Sequence, residues 1–395
     1  MAESDSGGQG GFDVVIVGGG ATGLGCAVDA ASRGYRTALV EAAEFGSGTS
    51  SRSTKLFHGG VRYLPQLRFG LVHEGLAERA ILRRNAPSLV APLGIIVPAR
   101  NAFELAFYGA GLRLYDLLAG KSNLEPSRIL SAERVFERLP NLRREGARGG
   151  IRYVDAQFDD TGYVAALAAT ARKLGAQLFD RTRAVNLVVV NERVTGLITQ
   201  DRILSSRTVV NAAGVRADVL RRLSDPDAAP MIAASRGSHI VLPASVLASS
   251  DGMLIPKTDD GRVIFALPWK GRTLVGTTDV PVERVDGNPE ASEVEIDYLL
   301  EHVRRYFSLP IARSDILETF AGLRPLIRSS AVTTASASRE HVVEIDKHGL
   351  VSIMGGKWTT YRRMAKDAID AAARTGRLPP VPSKTENVRL VATDG

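Results

Sequence analysis

The chain has 395 residues, a formal net charge of +7, 44% hydrophobic and 24% charged residues and one cysteine. That length carries two domains with a substantial core, and the composition excludes disordered, collagenous and disulfide-framework classes. The positive charge suits an anionic substrate, an anionic membrane surface or nucleic acid, but no aromatic-interleaved basic stripe of the kind single strands prefer is present.

Residues 1–11 are glycine-rich, lack the cationic start and apolar core of a signal peptide, and are expected to be a disordered lead. From Phe12 the chain reads FDVVIVGGGATG, an apolar run suited to a strand buried on both faces, leading straight into glycines. Gly18, Gly20 and Gly23 satisfy G-x-G-x-x-G, a helical pattern carries Ala27, Val28, Ala30 and Ala31, and a second apolar strand at 37–40 ends on Glu41. Glycines there allow a tight turn and close backbone approach to a pyrophosphate. The helix amides take its charge, and the acid accepts from an adenosine ribose.

NAD and FAD enzymes share that fingerprint. The following stretch, GSGTSSRSTK at 46–55, offers Thr49, Ser50, Ser51 and Lys55 to a pyrophosphate and the chain next to a flavin. No second glycine fingerprint follows a strand, which favours FAD as the single dinucleotide. Cys26 lies inside the first helix pattern and reads as a small packing residue.

Helices are expected at 71–85 and 103–118, with a strand at 93–97 between them. The 103–118 helix spaces Phe103, Phe107, Leu114 and Leu118 along one face and is flanked by Arg100, Arg113 and Lys121. It is either a core helix or an interfacial one resting on a membrane. A strand at 150–154, a helix at 163–174 and three strands at 184–190, 194–199 and 203–210 follow. They end at Asn211 and Gly214, where small residues let a cofactor pass close to backbone. Beyond Met231 the pattern becomes antiparallel, with strands at 238–242, 253–255, 262–267 and 273–277, a helix at 293–307 and TFAGLRPL at 319–326. Strands at 342–345 and 350–353 then lead into Gly355, Gly356, Lys357 and Thr359 ahead of a final helix, repeating the logic of the first glycine turn.

The expected fold class is therefore α/β: a Rossmann-like FAD-binding domain with an inserted, mostly antiparallel-sheet substrate domain. The FAD-binding domain is discontinuous, formed by residues 12–85, 150–228 and 341–378. Residues 86–149 and 229–340 form the substrate domain, and 379–395 a tail.

VVIVGGGATG, TSSRSTKLFHGGVRYL, RGSHIVLP, LVGTTDV, FAGLRPL and IMGGKWTTYRRMA, spread from Val14 to Ala365, resemble the FAD-dependent glycerol-3-phosphate dehydrogenases and oxidases, within the amino-acid-oxidase-like flavoproteins. The resemblance implies oxidation of sn-glycerol 3-phosphate to dihydroxyacetone phosphate, with hydride passing to FAD and electrons on to quinone or O2. It implies that Arg62 and Arg324 clamp the substrate with Lys357 beside them, that His239 or His58 is the base, and that Leu56 and Gly322 join the cofactor contacts. Val215 and Arg216 stand where members tend to carry Pro and Trp. The chain also ends near where members continue into a helical C-terminal domain. A related reading keeps FAD but takes a 2-hydroxy or amino acid, and a third is a catalytically silent FAD-binding protein. No metal-ligand spacing is present. The expected setting is cytoplasmic, with peripheral contact at the inner face of a membrane as the alternative.

Overall fold

The computed structural model describes residues 11–145, 147–256, 258–259, 261–285, 288–328 and 340–392. Two sheets carry it. The first is ordered His341–Ile345, Val351–Gly355, Ile203–Asn211, Phe12–Val17, Thr37–Val40 and Gln177–Phe179. Its central pairs are parallel, with Val15 opposite both Val209 and Ala38. Both faces of Phe12–Val17 are covered, so its successive residues Val14, Val15 and Ile16 are all buried and no polar alternation appears.

The first helix, Ala21–Ser32, packs between the helices Asp160–Lys173 and Tyr361–Ala372. Small residues make this approach feasible: a Cβ on Gly25 would sit 2.8 Å from the Tyr361 ring and 3.2 Å from Ala365. Cys26 is buried in the same layer, and desolvation pushes its thiol far above its ordinary range, so it packs rather than reacts.

The three expected strands after residue 183 form an antiparallel ladder, Ala184–Val190, Arg193–Thr199 and Ile203–Asn211, whose last member continues as the parallel neighbour of Phe12–Val17.

The second sheet has ten strands and is mostly antiparallel. Ile232–Pro243 lies between Glu318–Ile327 on one edge and, on the other, Arg272–Gly276 followed by Val280–Val282. One parallel pair, Gly252–Ile255 against Val90–Ala99, joins its halves. The strand Gly149–Phe158, expected inside the dinucleotide unit, pairs instead with Val90–Ala99 and Leu56–Phe57 in this second sheet. A run such as IRYVDAQF, apolar enough for either sheet, carries no local signal of its partner. The short elements Arg128–Ser131 and Ala132–Arg138 had no clear pattern in the sequence.

The stretch after Leu378, expected as a tail, is laid along the helix layer as far as it is described. Its chain is irregular because side chains, not a ladder, satisfy most of it: Arg33 donates to Val381 O at 2.8 Å, Asn85 to Thr385 O at 3.0 Å, and Val391 N–H donates to Thr170 Oγ1 at 2.9 Å. Buried ion pairs Arg33–Asp29 and Arg362–Glu78 lie beneath it.

Candidate functional site

The glycine turn after Phe12–Val17 is built as its spacing implies. Gly18 has φ +111, and a Cβ there would meet the backbone of Ala213 at 3.1 Å; a Cβ on Gly23 would collide with Gly18 O. Gly20 caps the first helix with extended backbone, and Ala21 N–H donates to Ser50 Oγ at 2.9 Å. The hydroxyl loop therefore meets the positive end of the helix, where an anion is favoured. Glu41 turns back to accept Gly19 N–H at 2.6 Å and Ala43 N–H at 2.9 Å, which fixes the acid beside the turn.

The 46–55 loop is the seam between the sheets. Thr49 Oγ1 donates to Leu323 O at 2.5 Å on the second sheet, and Trp358 Nε1 donates to Ser50 O at 2.8 Å from the far end of the chain. Gly322 leaves room for Arg52, whose Cβ would lie 2.9 Å from a Cβ at 322. Gly355 and Gly356 have φ +76 and +79, conformations that favour glycine, and Thr359 exchanges hydrogen bonds with the His58 backbone at 3.3 and 3.4 Å. Gly214, at φ +56, borders open space, with no atom within 4 Å of where a Cβ would stand, and Asn211 holds that corner by accepting Ala213 N–H and donating to Ser352 Oγ. Thus Gly18, Gly20, Gly23, Glu41, Thr49, Ser50, Gly322 and Thr359 converge on one seam. Lys55 is placed differently: its ammonium is buried on Asp160 at 2.6 Å and donates to Ser51 O at 2.8 Å, bracing the loop from behind. Leu56 is buried in the pair with Gln157.

Over this seam the strand registers assemble a polar floor. Ser235, Gly237 and His239 face Arg324, Gly322 and Phe320, so all point to the same side of the sheet. Glycines clear the space: positions where Gly237 and Gly276 would carry Cβ atoms are filled by the Arg324 guanidinium and the His239 ring. His239 is 2% exposed, stacks on Phe320 at 4.7 Å, and its Nε2 lies 2.9 Å from Thr54 Oγ1. Its Nδ1 is buried with no hydrogen-bond partner among the described residues. Burial, then the charges of Arg324 and Lys55, hold its pKa well below 6.5, so it is neutral.

Arg324 donates to Thr278 O at 3.0 Å and Thr277 Oγ1 at 2.9 Å and lies 3.6 Å from Asp279. Burial holds its pKa below the usual range, Asp279 opposes this, and the nearby cations Arg62 and Arg262 add to it. Arg62 donates to Tyr63 Oη at 3.0 Å and sits 4.9 Å over its ring, while Lys357 Nζ lies 5.1 Å from the same ring. Arg62, Lys357 and Arg324 are therefore drawn from three distant stretches into one cationic surface. His58 stands beside it, 6.5 Å from the Phe265 ring.

Sequence reasoning missed several contributors. Thr54, Tyr63 and Asp279 lay inside the quoted stretches without a role, and Arg262 had only its charge as a signal. Glu295 gave none, since an acid three residues after Ser292 reads as an ordinary capping box. Here it also accepts from Thr278 Oγ1 at 2.6 Å, Ser238 Oγ at 2.8 Å and Arg236 at 2.7 Å, bracing the segment that holds Arg324.

The residues fit FAD: a glycine cradle at a helix N-terminus, an acid fixed beside that turn, hydroxyls at the seam and a buried imidazole nitrogen with no hydrogen-bond partner among the described residues. A family model described as FAD dependent oxidoreductase matches residues 13–362. The chain is 43% identical over 401 residues to the mitochondrial glycerol-3-phosphate dehydrogenase of Homo sapiens, covering 96% of this chain and 55% of that protein. A probable mitochondrial glycerol-3-phosphate dehydrogenase of Caenorhabditis elegans is 40% identical, with 95% and 54% covered. The chain thus spans about half the length of these curated relatives. Among solved structures, the glycerol-3-phosphate dehydrogenase of Bacillus halodurans complexed with FAD is similar at TM-score 0.78 and 31% identity, covering 97% of this chain and 68% of that one. The L-alpha-glycerophosphate oxidase of Mycoplasma pneumoniae with FAD bound, at 18% identity and TM-score 0.75, shares the fold.

Proposed function

The chain belongs to the FAD dependent oxidoreductase family, and from that premise we propose that it oxidises sn-glycerol 3-phosphate to dihydroxyacetone phosphate. The observation that carries this is the meeting of a neutral, buried His239 with the cations Arg62, Arg324 and Lys357 at the cofactor seam. When bound, FAD supplies the acceptor for hydride from C2 of the substrate.

The protein's own groups do the rest. Arg62 and Lys357, gathered on Tyr63, bind the phosphate dianion, and Arg324 orients the alcohol. Hydride leaves C2 only as its hydroxyl gives up a proton. His239 takes that proton at Nδ1 while Nε2–H is held by Thr54, a role worth about 10²- to 10⁴-fold in rate. Phe320 and the surrounding strands keep water from the ring. Gly18, Gly20, Gly23, Glu41, Thr49, Ser50, Ser51, Gly214, Gly322, Gly355, Gly356 and Thr359 hold the cofactor, with Lys55 and Leu56 supporting the loop from below. His58 contributes through its backbone, which is tied to Thr359.

Electrons then pass to a quinone or O2. Peripheral contact with an anionic membrane belongs to the same reading, because Phe103 and Phe107 are 78% and 55% exposed on one helix beside Arg100, Arg113 and Lys121; Leu114 and Leu118 of the expected face pack instead against the core, and Leu117 is the exposed leucine. No helix of the described residues is long and apolar enough to cross a membrane.

Anaerobic addition of glycerol 3-phosphate to the purified flavoprotein tests the assignment. Bleaching of the flavin is expected; bleaching by a 2-hydroxy or amino acid instead, or none at all, overturns it.

A further inference from the structure

The loop that carries Arg62 and Tyr63 begins with a corner whose anchoring lies outside the site. Gly59 N–H donates to Tyr115 Oη at 2.8 Å, and Tyr115 in turn donates to Asp155 at 2.9 Å. Asp155 pairs with Arg79 at 2.5 Å, and Arg79 ends the chain by donating to Val154 O and Ser122 O at 3.1 and 2.9 Å. These three side chains come from three elements, the helix Phe69–Asn85, the helix Ala102–Ala119 and the strand Gly149–Phe158, and each is at most 1% exposed.

A buried ion pair of this kind gives little net stability, since apolar residues of similar volume often do as well. What it provides here is direction. Burial raises the Asp155 pKa, and the Arg79 charge, then hydrogen bonding from Arg79, the Tyr115 hydroxyl and the Gly59 backbone, oppose that, so the carboxylate and the phenol hold the same corner. The phenol fixes one amide. A Cβ on Gly59 would lie 2.8 Å from Tyr115 Oη and 2.6 Å from Leu76, so the corner is pressed against both helices. Gly60 follows at φ +88, Tyr63 N–H returns to Gly60 O at 2.9 Å, and the Tyr63 ring covers Gly60 so closely that a Cβ there would come within 2.5 Å. Rotation at Gly59 therefore moves Tyr63 and Arg62 as one body.

We propose that Tyr115 is a positioning residue for the substrate phosphate, setting the Gly59–Gly60 corner through the buried Tyr115–Asp155–Arg79 chain and thereby the reach of Arg62 and Tyr63. This rests on the glycerol 3-phosphate reading above. Tyr115 touches neither substrate nor cofactor, and its effect is on binding of the phosphate end, which is chemically remote from hydride transfer.

The test uses the FAD-loaded full chain and Tyr115→Phe, which keeps the ring and removes the hydroxyl. KM for glycerol 3-phosphate and the inhibition constant of inorganic phosphate rise together by about 10-fold, the weight of one buried hydrogen bond. Meanwhile kcat stays within about twofold and flavin content is unchanged. A purely structural role would lower the melting temperature and leave both constants alone, which overturns the proposal. Hydrogen exchange on the wild-type protein gives a second arm that no folding defect can obscure: the Gly59 amide exchanges slowly, and exchange at the rate of an open loop overturns the proposal. A wild-type flavin that glycerol 3-phosphate does not bleach overturns the functional reading itself. Bleaching with unchanged constants in Tyr115→Phe overturns the positioning role alone.

Discussion

Replacing His239 by Gln separates the chemical role of the imidazole from its structural one. The Gln amide reaches the position of Nε2 and keeps a partner for Thr54 Oγ1, which lies 2.9 Å from that nitrogen, but it cannot accept a proton. Loss of the stack on Phe320 costs about 0.5–1.5 kcal/mol of stability, a small fraction of the total. Loss of the base costs about 10²- to 10⁴-fold in the rate of flavin reduction, roughly 2.7–5.5 kcal/mol of barrier. Anaerobic stopped-flow at saturating glycerol 3-phosphate reads this directly, with flavin absorbance checking cofactor content.

The pH dependence carries the same signature. Burial and the Arg324 and Lys55 charges depress the His239 pKa in the folded protein. Neutral imidazole therefore persists below pH 6.5, and the acid limb of flavin reduction falls below that value. In linkage terms the unfolded chain binds the proton more tightly, so the His239 contribution to stability is present above about pH 6.5 and is lost as pH falls below it. His239→Gln removes that part of the slope. A variant that reduces flavin within threefold of wild type, or one that keeps the wild-type acid limb, refutes the assignment of His239 as base.

Arg324→Lys keeps a charge but cannot span both Thr278 O and Thr277 Oγ1, so kcat/KM for glycerol 3-phosphate falls by about 10- to 100-fold; steady-state kinetics with an unchanged value would remove Arg324 from the clamp. Glu295→Gln leaves Arg236 without its carboxylate and loosens the Thr278 segment. Urea denaturation is expected to show a loss of about 1–3 kcal/mol, and equal midpoints would mean the network is not coupled to the fold. Phe103→Ser with Phe107→Ser weakens co-sedimentation with anionic vesicles, and undiminished binding would discard this helix as the contact.

Much of this protein was legible in its residues because the relevant constraints are local. The strand, glycine turn, helix and acid from Phe12 to Glu41 are set by chain geometry within a single supersecondary unit, and Thr37–Val40 falls where its apolar run lies. The resemblance of short motifs to the glycerol-3-phosphate dehydrogenases also singled out Arg62, Arg324 and Lys357, with His239 or His58 as the base. Their meeting could not be read in the same way. It depends on register between strands more than eighty residues apart, Ser235 opposite Arg324 and His239 opposite Phe320, and on Gly237 and Gly276 vacating the space those side chains fill. The assignment of Gly149–Phe158 to the second sheet, the commitment of Lys55 to Asp160, and the chain from Arg79 to Gly59 are likewise products of packing. A buried carboxylate or guanidinium looks like a surface charge in sequence, since only the fold determines which partner repays its loss of water.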